Sequence, residues 1–125
     1  LFTHLGIKRP TWETDPLGNS FGAGGLYLTL SEHHKFGLFY LNKGSWNGKQ
    51  ILSEKWIEES TSASDTDDYG YLFWRGEHNS FRADGKYSQI TMVLPEKNAV
   101  VSLVAECRKG EELMRALYDL VCAKI

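Results

Sequence analysis

No stretch of this chain comes near the roughly 20 apolar residues that a membrane-spanning helix needs, so a soluble segment with no membrane span is expected. It also lacks a basic stripe. The 14 Lys and Arg are scattered among 16 Asp and Glu, giving a formal net charge of -2, which argues against nucleic acid as a partner. Cysteine is scarce. Cys107 and Cys122 show no Cys-x-x-Cys and no Cys/His ligand spacing, so both read as buried free thiols and nothing supports a disulfide. The four histidines form no metal pattern. His33 and His34 are adjacent on a helical stretch and point about 100° apart, unlike the i, i+4 pair of a zinc protease, while His4 and His78 stand alone. Solvated or hydrogen-bonded imidazoles are expected, with no metal and no cofactor. Gly22-Ala23-Gly24-Gly25 lacks the Gly-Lys-Ser/Thr ending of a phosphate loop and reads as a conformational turn. Internal repeats and low-complexity tracts are missing too.

A nucleophile is also lacking. No Ser-x-x-Lys occurs: Ser31 is followed three positions on by His34, Ser53 by Trp56, Ser88 by Thr91 and Ser102 by Ala105. A serine hydroxyl attacks poorly without a neighbouring base, and one helical turn is the spacing that would set a Lys beside it. There is no Gly-x-Ser-x-Gly elbow either. On its own this chain holds no credible catalytic serine.

What is present suits one globular domain. Across 125 residues, 42% are apolar and 24% charged, enough to bury roughly two-thirds of the unfolded surface. Residues 1–25 read as loop, broken by Pro10, Pro16, Gly18, Gly22, Gly24 and Gly25. Thr29-Leu30-Ser31-Glu32 matches a capping box, predicting a well-buried helix from Leu30 to Lys43 that ends at Gly44. Gly37 inside it points to close approach of another backbone, since Gly otherwise costs about 1 kcal/mol there. Gly44 to Lys49 reads as a turn. Ser53 reads as a second cap, with Leu52 and Ile57 as a hydrophobic staple over a helix from Glu54 to Ser60. Residues 62–68 read as a polar, solvated loop.

Beyond residue 68 the pattern changes. Tyr69–Arg75, Ser88–Leu94 and Ala99–Glu106 read as strands, the last two joined by Pro95-Glu96-Lys97-Asn98 as an antiparallel hairpin. Gly110–Ile125 reads as an amphipathic helix with Leu113, Leu117, Leu120 and Val121 on one face. The class expected is α+β: an antiparallel meander with a C-terminal helix packed on it, preceded by helices. Three strands and one closing helix would leave a sheet face and an edge to be covered by something else.

The run LNKGSWNGKQILSEKWIEEST from Leu41 to Thr61, with GAGGLYLTLSEHHKFG before it and YGYLFW…ADGKYSQITMVLP after it, resembles the C-terminal part of the serine β-lactamase-like family. That family comprises class C β-lactamases, DD-peptidases (penicillin-binding proteins), esterases and amidohydrolases. Trp46-Asn47-Gly48-Lys49-Gln50 and Trp56-Ile57 are the most specific parts. The resemblance implies that residues 1–125 form a single C-terminal fragment of a β-lactamase-like domain, with 1–68 its loop and helical part and 69–125 its strands and closing helix. The nucleophilic Ser-x-x-Lys and the Tyr-x-Asn of such proteins would lie upstream. With no initiator Met and no charged-then-apolar leader here, the natural N-terminus is expected elsewhere, and the compartment stays open.

The resemblance also implies a site. Ala83, Asp84 and Gly85 occupy the third-motif triplet, usually Lys-Thr-Gly or His-x-Gly, just before or at the start of the Ile90–Leu94 strand. They would form the substrate-binding edge, and the backbone N–H of Lys86 would be the catalytic oxyanion donor. Ala83 departs from the cation usual at that position, which disfavours β-lactam or peptide carboxylates relative to esters and amides. Read without the resemblance, Asp84-Gly85 is a tight turn between two strands. Tyr40-Leu41-Asn42 fits Tyr-x-Asn literally but closes a buried helix, so capping and core packing suffice for it. The implied function is the C-terminal part of a serine hydrolase acting on a small acyl substrate through an acyl-enzyme, inactive alone. Its partner would be the missing N-terminal portion or a second copy of the chain. The other reading is a stand-alone interaction or oligomerisation module derived from the same fold.

Overall fold

Helix α1 (Leu30–Leu41) begins where the capping box places it. In the computed structural model, which describes residues 1–22, 24–65 and 68–125, the Glu32 amide donates to Thr29 Oγ1 at 3.3 Å and the Thr29 amide donates to Glu32 Oε2 at 2.9 Å. Such a cap contributes about 1 kcal/mol. The helix stops two residues earlier than expected, with Asn42 as its cap residue, and Gly44 takes the left-handed conformation at φ +80°.

Asn47 and Gly48, both at positive φ, close a minute hairpin of β3 (Ser45–Trp46) and β4 (Lys49–Gln50) where a plain turn was expected. Helix α2 (Glu54–Thr61) follows, with Ser53 Oγ accepting from the Trp56 amide at 3.1 Å. Its staple residues Leu52 and Ile57 both join the larger core. The N-terminal segment is less loop-like than its Gly and Pro content suggests, because β1 (Thr11–Trp12) pairs with β2 (Leu26–Tyr27). Gly25 sits at φ +75°, where a Cβ would press on Glu13; Ala23 of the Gly-rich turn lies outside the described residues.

Among the described residues the main sheet has four antiparallel strands in the order β5 (Trp74–Arg75), β6 (Phe81–Gly85), β7 (Gln89–Leu94) and β8 (Ala99–Val104). Two expectations are corrected here. Tyr69–Arg75 is not a continuous strand: only Trp74–Arg75 pairs as one, and Gly70 and Phe73 close a turn in which Leu72 sits at φ +65°. Aromatic composition suggested extension, but Gly70 fits so tightly against the Ser60 and Ser62 carbonyls that a Cβ would meet them within 2.7 Å. The second correction adds a strand. β6 went unread because Phe-Arg-Ala-Asp-Gly has no β-branched residue and carries two charges; pairing with β7 along all five positions holds it extended.

Both faces of the sheet are covered, contrary to the expected bare face. Alternation sends Ile90, Met92 and Leu94 against Leu117 and Cys122 under helix α3 (Gly110–Leu120). It sends Phe81, Val93 and Val100 against Phe39 and Tyr40 of α1. Rings tighten this second core, with Tyr40 to Phe73 at 4.7 Å and Phe73 to Phe81 at 5.6 Å between centroids, each such pair contributing about 0.5–1.5 kcal/mol beyond its area. Gly37 is where α1 comes closest, but against side chains: a Cβ there would lie 2.5 Å from Thr91 Cγ2 and 2.6 Å from Val100 Cγ1. Helix α3 ends at Leu120, and Cys122 lies in a 3-10 turn rather than on the helix. Of its expected apolar face Leu117 is buried, Leu113 half-buried, and Leu120 and Val121 exposed. Both cysteines are free, Cys122 buried and Cys107 only half-buried.

Candidate functional site

The triplet Ala83-Asp84-Gly85 forms the end of β6, one strand earlier than expected, and the turn falls after it. Gly85 pairs with Gln89, while Tyr87 at φ +62° and Ser88 at φ +73° carry the reversal. The alternative of a tight turn at Asp84-Gly85 is therefore corrected as well. Gly85 serves close packing, since a Cβ there would come 3.1 Å from Gln89 Cβ. Ser88 occupies a left-handed position that glycine takes without strain. Its buried Oγ donates to the Cys107 carbonyl at 3.2 Å.

The strand end is open on one side. β5 pairs only with Phe81 and Arg82, so the edge of Ala83–Gly85 away from β7 has no neighbouring strand among the described residues. The Gly85 carbonyl turns inward and accepts from the Ser88 amide at 3.1 Å. Across a trans peptide the next N–H points the opposite way, so the Lys86 N–H is aimed out at this open edge. It donates to no acceptor among the described residues. A free backbone N–H so placed can donate to a developing oxyanion.

The side chains divide between the two faces. Half-buried Ala83 packs against the α1 core, whereas Asp84 lies on the α3 side and accepts from Arg82 Nε at 3.0 Å. Arg82 in turn lies over the Trp74 ring, 5.9 Å from its centroid. The triplet thus contributes a backbone edge and a small side chain, with its one carboxylate engaged by Arg82. At the hairpin tip the Tyr87 ring lies 5.0 Å from Lys86 Nζ and 5.4 Å from the Arg108 guanidinium. A shallow groove of about 410 Å³ runs between this tip and the start of α3, lined by Asp84, Tyr87, Cys107 and Arg108 among others. A hollow of about 470 Å³ beside Leu38 and Trp46 has no titratable lining residue.

Sequence reading missed one polar cluster. His34 Nδ1 lies 3.0 Å from Ser102 Oγ, which lies 3.0 Å from Thr91 Oγ1, and that hydroxyl reaches the His33 carbonyl at 3.4 Å. Partners 68 positions apart leave no local signal. Burial holds the His33 imidazole below its usual pKa. The cluster is no nucleophile and base, because Ser102 is shared with Thr91 and stands two strands from the free Lys86 N–H. Tyr40 is buried among rings, where burial raises its pKa, and Asn42 caps α1, so Tyr40-Leu41-Asn42 is core and cap. Among the described residues no three His, Cys, Asp or Glu side chains converge on a metal position.

No protein-family model matches the chain, and no curated protein matches it. Solved structures do. One, provisionally assigned as a 6-aminohexanoate-dimer hydrolase from Bacillus anthracis, superposes with a TM-score of 0.72 over 86% of this chain at 22% identity. The chain carries a partial β-lactamase-like fold. It spans 31% of the Bacillus anthracis protein's length. The α+β class, with its antiparallel sheet and closing helix, is as the sequence led one to expect.

Proposed function

We propose that the chain is the C-terminal part of a serine hydrolase that acts on an amide, ester or β-lactam through an acyl-enzyme. Residues 1–125 act as one fragment of the catalytic domain, and a Ser, Lys and Tyr in the rest of the protein perform the attack. The observation that carries this reading is the fold match together with the unpaired Lys86 N–H at the open end of β6. In it, Ala83, Asp84 and Gly85 form the wall along which the substrate lies, and Lys86 N–H stabilises the oxyanion, a contribution of about 3 kcal/mol in comparable sites. With Ala83 bringing no cation, esters and amides fit this wall better than β-lactams or peptides bearing a carboxylate. The partner required for turnover is the remaining portion of the fold.

The test is acylation by a serine-directed probe, with the intact mass of the protein as its source makes it. A mass well above 14.2 kDa with the label on a serine outside these residues supports the reading. A mass equal to that of this chain with no label, or a label on a serine within residues 1–125, sinks it.

A further inference from the structure

Cys107, beyond the end of β8, holds the hairpin tip that carries the Lys86 N–H. Both of its backbone groups turn back to that tip. Its N–H donates to the Tyr87 carbonyl at 3.0 Å, and its carbonyl accepts from Ser88 Oγ at 3.2 Å. The Ser88 amide in turn donates to the Gly85 carbonyl at 3.1 Å. That carbonyl belongs to the same planar peptide unit as the Lys86 N–H, so fixing one direction fixes the other. A chain of contacts therefore runs from Cys107 through the Ser88 hydroxyl and amide to the Gly85–Lys86 peptide. Every contact in it lies within residues 85–107, whatever covers the sheet elsewhere. Serine is also an unexpected residue for this place. Glycine sits at φ +73° without strain, and the bond to Cys107 does little more than offset the strain that serine bears. Stability gives serine no advantage here. Strained backbone held by its surroundings collects where a group must be aimed.

We propose that Ser88 is a positioning residue: anchored by its hydroxyl to the Cys107 carbonyl, it grips the Gly85–Lys86 peptide and aims the Lys86 N–H at the oxyanion. This rests on the hydrolase reading above and deepens it. As the nucleophilic serine oxygen bonds to the substrate carbonyl carbon, the C=O π pair moves onto the carbonyl oxygen. It returns when the leaving group departs with a proton. The N–H acts on that oxygen only while the charge stands there, so its direction decides how much it contributes. Ser88 is buried, which keeps water from competing for its one hydroxyl proton. Glycine at 88 keeps the amide bond to Gly85 but loses the anchor, and the peptide is then free to swing.

The test uses the protein as its source makes it, a para-nitrophenyl ester and the matching thionoester, whose sulfur accepts hydrogen bonds weakly. Thermal melting confirms that each variant stays folded. Ser88→Gly should lower kcat/KM for the ester about tenfold and leave that for the thionoester within about twofold. Lys86→Pro removes the N–H itself, after a Gly85 already extended as proline requires, and should slow the ester about a hundredfold or more. In that background Ser88→Gly should cost nothing further, because a residue acting through Lys86 has nothing left to aim. Equal losses on ester and thionoester, no loss at all, or losses that multiply with Lys86→Pro overturn the proposal. If Lys86→Pro slows the ester and Ser88→Gly does not, this inference alone falls. If Lys86→Pro changes nothing, or neither the ester nor a serine-directed probe acylates the wild type, the oxyanion reading falls and takes this one with it.

Discussion

Nδ1 of His34 and Oγ of Ser102 meet at 3.0 Å, joining the middle of α1 to the middle of β8. The bond spans the contact that covers one face of the sheet. Ser102→Ala removes it, together with the link to Thr91. Each such half-buried hydrogen bond contributes about 1 kcal/mol, so the urea midpoint should fall by the equivalent of about 1–2 kcal/mol with an unchanged slope.

The neighbouring imidazole makes stability depend on pH. Burial depresses the folded-state pKa of His33 below its ordinary 6.5, so the unfolded chain binds that proton more readily. The contribution is complete above about pH 6.5 and declines as pH falls from there towards the folded-state value. Denaturant titrations between pH 7.5 and 5.5 should show falling stability, and His33→Gln should flatten that fall.

Gly37→Ala sets two effects against each other. Helix propensity favours Ala by about 1 kcal/mol. The added methyl, though, would sit 2.5 Å from Thr91 Cγ2 and 2.6 Å from Val100 Cγ1, and overpacking against stiff β-branched side chains costs about 1–3 kcal/mol. The packing term should prevail, and thermal melting should show a lower midpoint for the alanine variant.

At Ser88 the balance is closer. Ser88→Gly relieves a left-handed backbone worth about 1–2 kcal/mol and loses one hydrogen bond to Cys107 worth about 1 kcal/mol. Ser88→Ala loses the bond and keeps the strain. The glycine variant should therefore match or exceed the wild type in chemical denaturation, and the alanine variant should fall below it.

Local rules found the helix starts, because a cap is decided within four residues: Thr29 with Glu32, and Ser53 with the Trp56 amide. They also found the β7–β8 hairpin, where Asn98 at φ +48° closes the connection after Pro95. They failed where distant pairing decides. Phe81–Gly85 is a strand only because β7 lies beside it, and Tyr69–Phe73 bends because Gly70 must tuck against the end of α2. The candidate site was legible as residues but not as geometry. Ala83, Asp84 and Gly85 could be named, whereas the free edge beside them and the outward Lys86 N–H depend on how short β5 is. The second covered face was illegible for the same reason, since α1 gave no sign of which strands it would meet.

The distance along the chain between α1 and the sheet it covers sets a schedule for synthesis. Phe39 and Tyr40 leave the ribosome well before Val93 and Val100, their partners in the folded core. At about 5–20 residues per second, α1 spends on the order of several seconds with its apolar side in water. A nascent chain stalled before β8 should therefore be a better client for a chaperone than the finished one.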